Sequence, residues 1–288
     1  MDIDDIKLDN LSGAAEILRR AAAVVLDHSR TDDPESLQKL GLKLIEAQPR
    51  MAPLFNLINA VLLAESEGRG GGIEAVVRDY LNEHDKSEEA VVRECELLIR
   101  GAHCVGTYSR SSTVIKALIG AWEAGCKFRV LLSESRPMME GRRAAEELVR
   151  IGVSVTVMVD AGLDEIVRRS DLILFGADAF SSVWLTNKIG TSLLVLAARA
   201  HATPAYAVAT THKLLPDRIN LPEEIDHDAA QIWSRPPAGI TLWNRYFERI
   251  PVERVRAVIT EMGQLDPAAI RRLENQVRIA PLLADRFR

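Results

Sequence analysis

Five short polar segments carry residue types that can hold an anion or move a proton. They are "TYSRSS" (107–112), "SESRPMMEG" (133–141), Asp160, "GADAFSSVWLTNKIGT" (176–191) and "TTHKLLP" (210–216). Each follows an apolar run, and several precede a helical pattern. Free N–H groups and the dipole at a helix N-terminus favour an anion, typically a phosphate. Ser109, Arg110, Ser111 and Ser112 suit that role, and Arg136 and Lys188 can add positive charge. Asp178 is the obvious carboxylate, able to accept sugar hydroxyls or to move a proton. Structural roles compete with these. Ser111 and Ser112 equally fit a helix cap. Arg136-Pro137 equally fits a turn whose arginine pairs with a carboxylate. Asp178 could serve only loop amides. His201 and His212 lie nearest this edge and read as surface residues. No serine–histidine order resembles a catalytic triad.

The elements that must position these loops change character along the chain. Residues 11 to about 92 read as helical. "SGAAEILRRAAAVVLDHS" sets Ala15, Leu18, Ala22 and Leu26 at helical spacing, with Ser12 as its cap. "DPESLQKLGLKLIEAQP" and "PLFNLINAVLLAE" follow, with Pro49 ending the first of them. "GRGGG" (68–72) reads as a turn: no strand precedes it and no Gly-Lys-Ser/Thr follows. A long helix, "IEAVVRDYLNEHDKSEEAVVRECELLIR", leads into the second region. From Ala102 onward, apolar runs of about five residues alternate with amphipathic stretches, which suggests strands buried on both faces. They are "AHCVGTY", "FRVLL", "VSVTVM", "DLILF" and "AYAVA". The expected fold is α/β: a helical domain (1–92) followed by a Rossmann-like, doubly wound, mainly parallel sheet (93–288). In such a sheet ligands bind outside the carboxyl ends of the strands, where the five segments fall. A helix is expected from near Asn187-Lys188, and another from about Val252 to Met262.

Composition narrows the function classes. The 288 residues are 47% hydrophobic and 27% charged, with a net charge of -5, an ordinary globular balance with no basic excess to suggest direct nucleic-acid binding. No apolar run reaches a membrane span. "MDIDDIKLDN" is acidic and unlike a secretory signal. Cys95, Cys104 and Cys126 lack metal-ligand spacing, so no metal and no cofactor is expected. Sparse cysteines fit a reducing cytoplasm.

An ordered set of motifs then carries a resemblance. "ESRPMMEG", "VSVTVMVDAG", "DLILFGADA", "NKIGT" and "PAYAVATTHK" occur in the order and spacing of one superfamily. It holds the α, β and δ regulatory subunits of eukaryotic initiation factor 2B, methylthioribose-1-phosphate isomerase and archaeal ribose-1,5-bisphosphate isomerase. "SGAAEILRRAA", "AQPRMAPLFN" and "NRYFERIPVERVRAVITEMG" extend the likeness over nearly the whole chain. The resemblance implies a helical domain before a Rossmann-like one, with homodimers formed through the latter. Its isomerases interconvert aldose and ketose with a cysteine after the first strand and the aspartate of Gly-Ala-Asp. An Asn-Lys pair and a Gln or Glu before the glycine of the Arg-Pro motif hold the substrate. Asp178, Asn187, Lys188 and Glu140 match these positions.

Three departures qualify what the resemblance implies. The isomerases read roughly Thr-His-Cys-x-Ser where this chain reads Thr107-Tyr108-Ser109-Arg110-Ser111. Ser109 stands at the thiol position, and a hydroxyl is a far weaker acid. The α regulatory subunit also lacks the cysteine. Arg-Gly-Ala becomes Ser12-Gly13-Ala14, and Ala-Arg-Pro-Thr becomes Ala47-Gln48-Pro49-Arg50. Arg50 or Arg110 are the candidates to replace the lost phosphate partner. The implied role is an initiation factor 2B α-subunit-like protein that binds a phosphorylated sugar or nucleotide without isomerising it. The alternatives are an isomerase with altered chemistry, acting through Asp178 and Ser109, and a subunit of a larger assembly.

Overall fold

A computed structural model describes residues 3–8, 14–29, 33–68, 72–222 and 226–288. Five helices come first: α1 (Ile3–Leu8), α2 (Ala14–His28), α3 (Pro34–Ala47), α4 (Ala52–Ser66) and α5 (Gly72–Ile99). The expected cap Ser12 lies outside the described residues. Helix α2 buries Ile17, Leu18, Ala21, Ala22 and Val25, so its inner stripe is centred slightly away from Ala15 and Leu26. Helix α4 is apolar nearly all round and is the centre of the helical cluster, the arrangement expected of a helix walled in on every side. Helix α5 spans the expected boundary at residue 92. Its first half packs Val77 and Tyr80 into the helical core, and its second half packs Val91, Cys95 and Ile99 against the sheet.

The remainder is β1 (Cys104–Tyr108), α6 (Ser112–Glu123), β2 (Arg129–Ser133), α7 (Glu140–Arg150), β3 (Ser154–Met158), α8 (Leu163–Arg168), β4 (Leu172–Gly176), β5 (Ala179–Phe180), β6 (Trp184–Lys188), α9 (Thr191–Ala200), β7 (Ala205–Val208), β8 (Phe247–Pro251), β9 (Ala257–Thr260), β10 (Gly263–Leu265), α10 (Pro267–Glu274) and α11 (Pro281–Arg286). Seven strands form one sheet in the order β10-β9-β7-β4-β1-β2-β3. All pairings are parallel except β9 with β10. Central strands β1 and β4 are wholly buried, which explains why their sequences are almost wholly apolar. Edge strand β3 is largely exposed. A second sheet, β5-β6-β8, is antiparallel and sits beside the first.

Two sequence expectations are corrected here. Asn187 and Lys188 close strand β6, and helix α9 starts only at Thr191. Residues 252–262 form a short 3-10 turn and strand β9, with no α-helix among them. Val252, Val255, Val258 and Ile259 imitate helical spacing, but β-branched residues in a short buried run suit a strand.

Helix α5 and the loop after β7 also meet around a histidine pair. The His212 ring lies edge-on to Tyr80 and His84 of α5, with centroids 4.9 and 5.3 Å away. His212 is therefore not a surface histidine, whereas His201 bonds Asp164 at the periphery. Burial, aided by the neighbouring His84, pulls the His212 pKa down to about 4. Its folded value lies below the unfolded one, so the unfolded chain binds more protons once the pH falls below about 6.5. The contribution of His212 to stability is whole above that pH and is lost by about pH 4. Because the ring is only partly shielded, the expected loss is on the order of 2 kcal/mol. Urea titrations at pH 7 and pH 4.5 should show a smaller loss in His212→Phe than in the parent.

Candidate functional site

The strand order reverses between β1 and β4, the two central strands. A crevice must open at their carboxyl ends, because the following connections leave in opposite directions. The residues after these strands, Ser109–Ser111 and Ala177–Asp178, line a cleft there of about 170 Å³. Glu140, Asn187, Lys188 and Lys213 complete its charged and polar wall, Phe247 adds an apolar face, and Ala14 at the start of α2 brings the helical region to its rim.

Close backbone approach builds the cleft. A Cβ on Gly176 would stand 2.7 Å from the Ser111 side chain, so a glycine lets the end of β4 meet the start of α6. Ser111 caps α6, its hydroxyl accepting from Val114 N at 3.4 Å. The amides of Ser112 and Thr113, in the first turn, have no acceptor within the helix, and that turn carries no acidic residue. This helix end therefore offers N–H groups to an anion. Gly176→Ala is expected to cost about 1–3 kcal/mol by overpacking and to weaken anion binding, which denaturant titration and calorimetry can separate.

The loop after β2 is fastened from below. Asp160 accepts from Ser133 Oγ at 2.6 Å and from the amides of Ser135 and Arg136 at 2.8 and 2.7 Å. Ser135 Oγ in turn accepts from Ser109 N at 3.0 Å. Ser109 adopts φ 60, in the left-handed region. Gly141 touches this loop so closely that a Cβ would lie 1.8 Å from the Ser133 carbonyl oxygen.

The charged groups divide sharply. Lys188, 3% exposed, donates to Glu140 Oε1 at 2.7 Å. Glu140 Oε2 is buried and has no hydrogen-bond partner among the described residues. Lys188 Nζ also stands 5.0 Å from the Tyr246 ring centre. Asn187 donates to Thr191 Oγ1 at 2.9 Å, which ties β6 to α9. Asp178 makes no side-chain hydrogen bond among the described residues, although its amide donates to Thr186 O at 2.9 Å. Burial raises the Asp178 pKa above the ordinary carboxylate value, and Lys213, Lys188 and Arg50 pull against that shift. A half-buried carboxylate beside several cations, with no side-chain hydrogen bond among the described residues, can accept a ligand hydroxyl or exchange a proton with it.

Two sequence candidates have other duties. Arg136 does not reach the cleft: its guanidinium donates to the carbonyls of Gln231 and Ile232 at 3.2 and 3.4 Å, along a neighbouring hollow. Asp160 holds its backbone and turns the side chain outward. Arg110 lines the cleft but forms a two-point pair with Glu147 at 2.6 and 3.3 Å. Lys213 was the missed residue. It lies in the quoted loop after β7 and donates to Ala177 O at 2.7 Å, beside Asp178. Its position after a sheet strand was the available signal. Cys104 is buried within β1 among apolar side chains and does not line the cleft. Among the described residues, no group of three or more His, Cys, Asp or Glu could hold a metal ion.

Fold and cleft together define a class: a helical N-terminal region set on a Rossmann-like, mostly parallel sheet, with a polar crevice at its switch point. The family model described as the initiation factor 2 subunit family matches residues 10–267, and the chain belongs to that family. Ribose 1,5-bisphosphate isomerase of Archaeoglobus fulgidus is 26% identical over 276 residues, covering 92% of this chain and 88% of the relative. The solved translation initiation factor eIF-2B of Pyrococcus horikoshii OT3 is 26% identical with a TM-score of 0.80, covering 92% of this chain and 95% of that one. The 5-methylthioribose 1-phosphate isomerase of the same organism shares the fold at 20% identity and a TM-score of 0.71, covering 95% and 85%. No helix among the described residues is long and apolar enough to cross a membrane.

Proposed function

We propose that the cleft binds a phosphorylated sugar or nucleotide and that the chain acts as a regulatory, non-isomerase member of its family in the cytoplasm. The observation that carries this reading is the wall after β1. Ser109 occupies the position where the resembled isomerases use a thiol, and Cys104 is sealed in the strand below. The binding elements remain: free α6 amides, Lys188 and Lys213 for an anion, and Asp178 for hydroxyls. Exposed apolar side chains on the Rossmann-like domain, Leu193 and Leu196 of α9 and Trp243, suit a homodimer contact or a place in a larger assembly.

An aldose–ketose isomerase is the second reading, favoured by Asp178. Its raised pKa and lack of partners are what a proton-transfer carboxylate needs, and a relative carries the name ribose 1,5-bisphosphate isomerase. Ser109 would then hold only a hydrogen bond. Thermal melts with pentose phosphates, ribose 1,5-bisphosphate, methylthioribose 1-phosphate and nucleoside monophosphates test the binding. A ligand at about 100 times its Kd stabilises by about 2.7 kcal/mol, roughly 5–10 °C here. Any stabilising compound is then followed for turnover. Enzyme-like rates would replace the regulatory reading with the isomerase, and no shift with any sugar phosphate or nucleotide would remove both.

A further inference from the structure

The loop after β7 touches both the helical region and the cleft. It forms a short 3-10 turn, Thr211–Lys213. His212 faces Tyr80 and His84 of α5, whereas Lys213 lines the cleft. Lys213 Nζ donates to Ala177 O at 2.7 Å. That carbonyl directly precedes Asp178 in the chain. Burial raises the Asp178 carboxyl, and Lys213 leads the cations that pull it back, ahead of Lys188 and Arg50, with Glu140 opposing them. A neutral carbonyl takes only one ammonium hydrogen, so Lys213 keeps its charge and its other donors. Lys188 and Arg110, by contrast, are paired with Glu140 and Glu147.

The clasp on Lys213 comes from the helical region. Asn56 of α4 donates through Nδ2 to His212 O at 2.8 Å and to Leu214 O at 2.9 Å. These are the carbonyls on either side of Lys213, and a side-chain amide has one hydrogen for each. Asn56 does not line the cleft; it borders a separate hollow with His212 and Leu214. Other ties hold the ends of the turn: Thr211 N donates to Glu261 Oε2 at 3.0 Å, and Leu215 N to Phe180 O at 2.9 Å. Three residues further along α4, Asn59 makes a similar clasp elsewhere. It donates to Arg278 O and accepts from Ala280 N, both at 2.8 Å, which fastens the chain ahead of α11. One helix thus carries a clasp that leads to the cleft and a clasp that does not.

We infer that Asn56 is a positioning residue for the cleft: from the helical region, out of a ligand's reach, it seats the Lys213 ammonium against the Ala177 carbonyl and so beside Asp178. Its bearing on a ligand rests on the binding reading of the cleft. The test follows the Asp178 carboxyl carbon by NMR against pH in the full chain, with Asp178→Asn to assign the signal. Asn56→Ala is expected to raise the proton affinity of Asp178 about threefold or more, because a loosened ammonium pulls less on the carboxylate. Lys213→Met should raise it about tenfold, and Asn56→Ala added to that variant should change nothing further. Asn59→Ala should lower stability yet leave the titration as in the parent. Ribose 5-phosphate affinity, read by calorimetry, should fall about fivefold in Asn56→Ala, the scale of one weakened charged hydrogen bond, and hold in Asn59→Ala. A parent-like Asp178 titration in Asn56→Ala would overturn the inference. So would an equal rise in Asn59→Ala, which would mean a general loosening, or an additive rise in the double variant. If the parent does not bind ribose 5-phosphate, the cleft reading is weakened and the titration alone decides the role of Asn56.

Discussion

Lys188→Met is expected to lower the stability of the empty protein by about 3 kcal/mol and to abolish measurable sugar-phosphate binding. The ammonium is nearly sealed from water and its partner Glu140 is 24% exposed. Truncating one side of a buried pair leaves the other charge without compensation, which commonly costs about 3–5 kcal/mol. Partial exposure of Glu140 places the expectation at the lower end. Glu140 is already short of partners, because its Oε2 has none among the described residues. The melting temperature should fall by about 6–12 °C for a chain of this size. Lys188→Met combined with Glu140→Gln should recover most of that stability, since the uncompensated charge is gone, but not the binding. A single variant as stable as the parent would mean that water reaches the pair and that Lys188 is free to serve a ligand alone.

The same pair shows how far residues reveal a site. Asp178 was legible because it follows an apolar run that had to be a strand, and strand ends in a parallel sheet converge on one edge. Lys188 stood out only as a cation in the same polar stretch, expected at the start of a helix. The partner of Lys188 lies 48 residues away on α7. Only a family likeness drew attention to Glu140, for nothing local marks it. Arg110 and Arg136 had equal claims in sequence, as basic residues in loops after β1 and β2. Glu147 on α7 engages the Arg110 guanidinium, and the carbonyls of Gln231 and Ile232 take that of Arg136. Such competition for a guanidinium is tertiary and leaves no trace in spacing.

The parallel sheet was readable for a physical reason: buried strands cannot afford polar residues on either face. The antiparallel sheet was not. Strand β6 reads "WLTNK", and β8 reads "FERIP". Each is short and mixed in polarity, and β6 is buried on both faces while β8 is mostly half-buried, so neither shows a clean alternation. The helix expected from Asn187 was misplaced for this reason. The error mattered, because as a strand β6 sets Lys188, Thr186 and Trp184 on one face.

Asp178→Asn should separate the two functional readings. Burial raises the Asp178 pKa above its unfolded value. A carboxyl shifted this way binds its proton more tightly when folded, so its ionised form opposes folding. That penalty is absent below the unfolded pKa of about 3.9 and complete once the pH exceeds the folded value. At neutral pH, asparagine removes the penalty. The variant is expected to be more stable than the parent by about 1 kcal/mol, the scale of an unpartnered buried polar group. The gain should vanish in melts below pH 4. Function should move the opposite way, as it does where a site holds a group at the expense of stability. Ligand affinity should fall about tenfold or more through loss of a charged acceptor. If the chain isomerises a sugar phosphate, turnover should be lost entirely, because an amide cannot carry the proton. A variant with unchanged melting temperature and unchanged affinity would show that Asp178 is solvated and idle, and that the cations around the cleft bind the anion without it.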